Sequence, residues 1–325
     1  MRTDGAGTLS ALSAPTVSVI VPTHNRHREV RRAVASVVSQ SFADWELIIV
    51  DDGSRVPVDP TALGTDDDRV TLLRHETPRG VSAARNTGIG QARGAWIALL
   101  DDDDMWSPDK LELQLACLRE HGARWSFTSY VKVSEDGRPW WTFQAVPMHD
   151  TVRELLFANV VGVPATVMIA ADLLEEVGPF SSDLQVLADW DMWIRLSSVG
   201  APAPLSAVAA AILEHPGNMQ VVELDQIRTE LERLRVRHAD LIQRYGVRFP
   251  SSEMHLWMAK LRWRSERSVR ARLLFGWTAA RQGQYDRVHE IIPHRLRNLR
   301  HQGEDPRAPE WVDHLLGVAG AAERA

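Results

Sequence analysis

The chain has 325 residues, 44% of them apolar and 25% charged. That is enough to bury a sizeable core, and it excludes disordered and fibrous classes for the bulk of the chain. No window reaches about 18 uninterrupted apolar residues, because the stretch around Val199–Leu213 carries Pro202 and Pro204, so no membrane span is expected. A single cysteine, Cys117, excludes a disulfide framework within the chain. The net charge of −6 hides an asymmetry: residues 1–225 carry −13, residues 226–303 carry +10 and residues 304–325 carry −3. Opposite signs suggest two bodies with different partners. Residues 1–16 have no sustained apolar run and read as a flexible arm rather than a signal peptide, so a cytoplasmic location is expected.

In chain order, Val17–Val21 is a β-branched run ending at Pro22 and reads as a buried strand. His27–Gln40 follows with valines at helical spacing. Glu46–Val50 is the next apolar run, closed by the turn cluster Asp51-Asp52-Gly53-Ser54. Val70–Leu73 is a third strand, Ser82–Ala92 a helix stopped at Gly94, and Ala95–Leu100 a fourth strand closed by Asp101–Asp104. Pro108 sits where a helix start tolerates it, and Lys110–Arg119 continues that helix. The β-α-β-α order predicts a mostly parallel, doubly wound α/β sheet, with ligands at the carboxyl ends of its strands. Four aspartates after a buried strand repel one another and call for a counter-cation. Hard ions such as Mg²⁺ or Mn²⁺ are held by one or two carboxylates plus substrate phosphate. The alternative is a solvated acidic loop with a helix cap.

Further on, strands are expected at Trp125–Val133 and Val163–Ile169, with a turn at Gly137-Arg138-Pro139. Trp140, Trp141 and Phe143 suit either sugar stacking or core packing. From Leu224, the apolar residues Ile227, Leu231, Leu234, Leu241 and Tyr245 step by three and four, with His238 among them. They predict one long helix ended by Gly246. Ala271–Arg281 and Tyr285–Leu299, joined at Gly283, predict a helical hairpin. The arginines between Arg262 and Arg300 are read as solvated faces packed on the acidic half, or as a contact with anionic lipid headgroups at a membrane surface. Nucleic acid is discounted, because no recognition motif accompanies the charge. A homodimer is a further expectation.

Five motifs in order carry a resemblance: Val17-Ser-Val-Ile-Val-Pro-Thr-His-Asn-Arg26, Glu46–Ser54, Gly80-Val-Ser-Ala-Ala-Arg-Asn-Thr-Gly88, Leu100–Lys110 and Asp189-Trp-Asp-Met-Trp-Ile-Arg-Leu196. Together they resemble the family 2 glycosyltransferases of GT-A fold over roughly Val17 to Gln220. The resemblance implies a GT-A (Rossmann-like) domain over 17–222, followed by an all-helical domain over 223–325. It also implies transfer of a sugar from a UDP- or dTDP-linked donor to an acceptor hydroxyl, with inversion and a divalent cation. The acceptor, whether glycan, lipid-linked sugar, peptide or small molecule, is left open. Carried over by motif, Pro22, Thr23, His24, Asn25, Arg26, Asp52, Arg85, Asp101 and Asp102 would face the nucleotide sugar. Asp103, with Asp101 and His215, would hold Mn²⁺ or Mg²⁺. Asp104 would cap the Pro108 helix or support the loop. Asp189 would be the general base, Asp191 a helix-stabilising residue, and Trp190 and Trp193 core or acceptor-wall residues. At Ala188 the family's usual glutamate is missing. Two rival readings stand beside this one: a nucleotidyltransferase on a similar sheet, and a non-catalytic sugar-nucleotide-binding scaffold.

Overall fold

The computed structural model describes residues 14–134, 137–214, 224–251, 254 and 311–312. The predicted hairpin over 271–299, the arginine cluster from Arg262 and His215 lie outside the described residues. The elements are β1 (Val17–Thr23), α1 (His27–Val38), β2 (Trp45–Asp51), β3 (Val70–Arg74), α2 (Val81–Gln91), β4 (Trp96–Leu99), β5 (Asp104–Trp106), α3 (Lys110–His121) and β6 (Trp125–Ser134). They continue with β7 (Pro139–Phe143), α4 (Thr151–Leu155), β8 (Val167–Ala170), α5 (Ala171–Val177), α6 (Ala188–Val199), β9 (Ala203–Glu214), α7 (Leu224–Arg237) and α8 (Ala239–Tyr245).

A nine-stranded sheet runs β3-β2-β1-β4-β8-β6-β9-β5, with β7 paired to β6. The first four strands pair in parallel. Beyond β4 the sheet turns mixed: β8 is antiparallel to both β4 and β6, and β9 is parallel to β6 but antiparallel to β5. The predicted parallel winding therefore describes the first half of the sheet. The turn at Gly137 brings β7 back antiparallel to β6, while β8 and β9 reach their partners through longer connections. A 3₁₀ turn at Pro164–Thr166 shortens the strand expected over Val163–Ile169 to β8.

Strands β1 and β2 are buried along their whole length, as expected for apolar runs covered on both faces. Helix α2 lies close on β1, because a Cβ at Gly88 would stand 2.6 Å from Ile20 Cγ2. The chain winds outward from β1 to β3 and returns to place β4 on the other side of β1, which makes β1/β4 the switch point where a crevice opens.

The long helix expected from Leu224 is two. It breaks at His238, whose backbone (φ −104°, ψ 23°) leaves the helix, and whose ring is drawn to Asp191. The end at Gly246 stands as read, with Gly246 in the left-handed conformation. The apolar stripe Ile227, Leu231 and Leu234 is buried in the same core as the sheet. No helix among the described residues is long and apolar enough to cross a membrane.

Candidate active site

At the switch point the end of β1 meets the end of β4. Thr23 Oγ1 donates to Asp102 Oδ2 at 2.7 Å. Arg26 donates to Asp102 Oδ1 at 2.9 Å and to Asp103 Oδ2 at 2.5 Å. Arg85, from α2, donates to Asp101 and lies over the Phe180 ring at 5.5 Å. The acidic run is thus answered by two guanidiniums converging from separate elements. Burial, followed by the neighbouring charge of Asp103, pushes the Asp102 carboxyl up to about 7 despite Arg26 and Thr23. Asp104 does not cap the helix after Pro108, although its N–H closes the acidic loop on the Asp101 carbonyl at 3.1 Å. It lies in β5, opposite Ile212 of β9, while α3 starts only after Asp109. Its carboxyl is buried, Oδ1 has no hydrogen-bond partner, and burial together with three acidic neighbours raises its pKa well above the ordinary value.

The end of β2 is built differently. Asp51 accepts from the N–H groups of Ser54 and Val58 and from Arg74. Asp52 accepts from Arg79 N and Gly80 N, both at 2.8 Å, and from His75 Nδ1 at 2.7 Å. Asp52 thereby seats the loop leading into α2. The tight fit of that loop shows at Gly53, which has a φ of +67° and whose added Cβ would stand 2.6 Å from the Thr77–Pro78 backbone. His24 is exposed. Its Nδ1 donates to the Asp52 carbonyl at 2.8 Å, and its Nε2 accepts from Asn25 Nδ2 at 2.6 Å, which fits a neutral ring. Asn25, at φ +56°, receives the Arg55 N–H on Oδ1 and gives its own N–H to Ser54. Pro22 is buried in β1. Pro22–Arg26, Asp52, Arg85 and Asp101–Asp103 therefore gather along one edge. Arg74 and His75 join them without having been singled out. Arg74 ends β3 and His75 follows it, so the strand-end rule that pointed to Asp51 and Asp101 applied to them equally.

Asp189 stands in the first turn of α6, partly buried. One Oδ1 accepts the Trp190 N–H at 2.7 Å. Burial pushes its carboxyl up to about 6, with Arg85 pulling the value down and Asp101 pushing it up. Those two residues belong to the acidic edge, so the head of α6 faces that edge electrostatically. Asp191 has the opposite environment. It is fully buried and accepts from His238 Nε2 at 2.9 Å, Ser181 Oγ at 2.7 Å and Arg195 Nε at 3.0 Å, with Arg237 at 3.2 Å. These donors outweigh desolvation and hold its carboxyl far below the ordinary range.

Trp190 and Trp193 are core residues. Their indole N–H groups donate to Leu155 and Gly162 carbonyls, and Trp193 stacks on Trp125 at 6.3 Å. Phe143 stacks on Tyr130 at 5.0 Å, and Trp141 meets Tyr130 edge-on and lies tilted against Phe143.

Comparison with known proteins places this geometry. The Glycosyl transferase family 2 profile matches residues 18–178. The Bacillus subtilis (strain 168) protein TuaG, assigned as a teichuronic acid biosynthesis glycosyltransferase, is 35% identical over 192 residues, covering 58% of this chain and 75% of that protein. The chain belongs to glycosyltransferase family 2. The Escherichia coli UDP-Glc:alpha-D-GlcNAc-diphosphoundecaprenol beta-1,3-glucosyltransferase WfgD is 31% identical, covering 55% of this chain and 69% of that protein. The fold resembles that of S. aureus TarS residues 1–349, with a TM-score of 0.53 at 18% identity over 94% of this chain and 87% of that one. TarS has also been solved with UDP-GlcNAc, where the TM-score is 0.56 at 17% identity with the same coverage. The protein is thus a glycosyltransferase enzyme, which sets aside the nucleotidyltransferase and scaffold readings.

Proposed function

We propose that this family 2 enzyme binds a UDP- or dTDP-sugar along the edge formed by β1, β2 and β4 and transfers the sugar, with inversion, to an acceptor hydroxyl activated by Asp189. The observation that carries the reading is the pairing of that edge with Asp189. A partly buried carboxyl, with its pKa pushed up to about 6, sits where it feels both Arg85 and Asp101. A base tuned toward neutrality serves proton abstraction better than an ordinary aspartate. Asp189 takes the acceptor proton as the hydroxyl oxygen attacks the anomeric carbon from the face opposite the departing diphosphate. One displacement with one base inverts that centre. Arg85 and Arg26 offer forked donors to the diphosphate once ligand competes with Asp101–Asp103 for them. A UDP-linked donor is supported by the glucosyl donor in WfgD's name and by the UDP-GlcNAc complex of TarS.

The residues present fit a hard divalent cation. Asp101, Asp102 and Asp103 offer only oxygen donors, and the buried Asp104 Oδ1 beside them has no hydrogen-bond partner. Among the described residues, no three His, Cys, Asp or Glu side chains are already arranged around a metal position. Mg²⁺ needs only one or two protein carboxylates plus phosphate oxygens. Asp103 and Asp101 would hold such an ion, which when bound neutralises charge developing on the leaving diphosphate. Thermal shift with a panel of UDP- and dTDP-sugars, with and without Mn²⁺, tests the assignment. The cognate donor should raise the melting temperature when the ion is present. No shift from any nucleotide sugar would overturn the donor reading.

A further inference from the structure

Two groups of contacts tie α6 and the turn before it to the helices that follow the sheet, and in sequence Asp189 lies between them. The first is Glu230 of α7. Its carboxylate, 1% exposed, accepts three consecutive backbone N–H groups: Gln185 on Oε1 at 3.0 Å, and Val186 and Leu187 on Oε2, both at 2.9 Å. Gln226 Nε2 adds a fourth donor at 3.2 Å. Successive N–H groups converging on one carboxylate form an anion-binding concavity, and here the anion is a side chain of the protein itself. The second is the set of donors that Arg237 and His238 present to Asp191. The segment before α6 is held from the other side as well. Asn86 of α2 exchanges two hydrogen bonds with the Phe180 backbone, both at 2.8 Å. Arg233 donates to the Asp183 carbonyl, and Arg237 pairs with the Asp183 carboxylate at 3.0 Å.

We propose that Glu230, seconded by His238, is a positioning residue for Asp189: the α7–α8 pair fixes the turn that delivers this carboxyl to the donor edge. The inference rests on Asp189 being the base. Glu230 touches no reacting atom. It acts by fixing the backbone at 185–187, two residues ahead of Asp189, while Asp191 is fixed two residues after it. Position is what holds Asp189 partly out of water and within reach of Arg85 and Asp101, the charged groups that face it. A looser turn would let water in and relax the carboxyl toward an ordinary aspartate.

The test uses the full chain labelled with ¹⁵N-tryptophan. The Trp190 amide donates to Asp189, so its shift titrates with that carboxyl; the signal is assigned by its absence in Trp190→Phe. In the wild type the midpoint should lie near 6. Glu230→Gln sets an NH₂ group against backbone donors, and should move the midpoint down by at least about half a unit. Glu230→Asp, which keeps the charge with shorter reach, should restore part of the shift. A folded Glu230→Gln protein with an unmoved midpoint overturns the proposal. If that variant does not fold, His238→Gln, which keeps a donor near the Nε2 position, is read against His238→Ala; equal midpoints in the two overturn it likewise. The base reading is tested separately, by transfer in Asp189→Asn. Undiminished transfer there removes the base and, with it, the purpose of the positioning, whereas loss of transfer together with an unmoved midpoint in Glu230→Gln overturns the positioning alone.

Discussion

Asp51 and Asp52 on the proposed donor edge, and Asp191 in α6, are each answered by several donors. Asp189, in the same helical turn as Asp191, accepts one neighbouring N–H and feels Arg85 from across the site. Two residues on a helix are about 200° apart, so the two carboxyls face different surroundings. The difference teaches how a scaffold and a reactive group can share a few residues. Asp191 binds α6 to α7 and α8, which leaves Asp189 underpaired without loosening the helix that carries it.

The largest effect should come from breaking the scaffold side. Asp191→Ala strands Arg195, Arg237 and His238 around a hole, and should destabilise the fold by about 3–5 kcal/mol at pH 7, read by denaturant unfolding. Its folded pKa is depressed, so this contribution is present above the unfolded value of about 3.9 and fades as pH falls below it. The penalty of Asp191→Ala should therefore shrink in acid; a penalty that stays constant down to pH 3 would show that the network is not ionic.

Next in size is the reactive side. Asp189→Asn should lower single-turnover transfer by about a hundredfold or more with donor affinity within about twofold. In the wild type, the acidic limb of the pH–rate profile should lie near the Asp189 value of about 6. The same variant should move stability in the direction opposite to Asp191→Ala. Between about 3.9 and the folded value, the native state keeps a proton that the unfolded chain has lost, so stability falls as pH rises through that window. Asp189→Asn should thus gain as much as about 2 kcal/mol at pH 7, and lose that gain below about pH 4. A destabilised Asp189→Asn at pH 7 would erase the contrast between the two aspartates. The smallest effect is expected at the donor edge, where Asp103→Asn should remove most of the divalent-ion dependence of UDP binding, about tenfold by calorimetry with and without EDTA.

Much of this was legible because each strand end advertises itself. The apolar runs before Pro22, Asp51 and Asp101 set strands, and the polar clusters after them set the edge. Other features were hidden for physical reasons. Whether β8 pairs antiparallel with β4 leaves no mark in a four-residue apolar run, because the direction is set by the path of the chain between the two strands. Asp104 looked like one more loop acid, because a three-residue strand has too few residues to show a period. Glu230 left a sign: it falls three residues after Ile227 and four before Leu234, on the buried stripe of α7, where an unpaired carboxylate would be costly. What the spacing could not supply was its partner, 43 residues earlier in the chain at Leu187.

The pairing of β5 with β9 sets a clock on synthesis. Asp104 is opposite Ile212, so the strand that fixes the far end of the acidic loop has no partner until about a hundred more residues have left the ribosome. At roughly 5–20 residues per second that is a wait of about 5–20 seconds. Throughout it the four strands of the parallel half can assemble and Thr23, Arg26 and Arg85 can meet Asp101–Asp103, while Asp104 waits for the strand that anchors it.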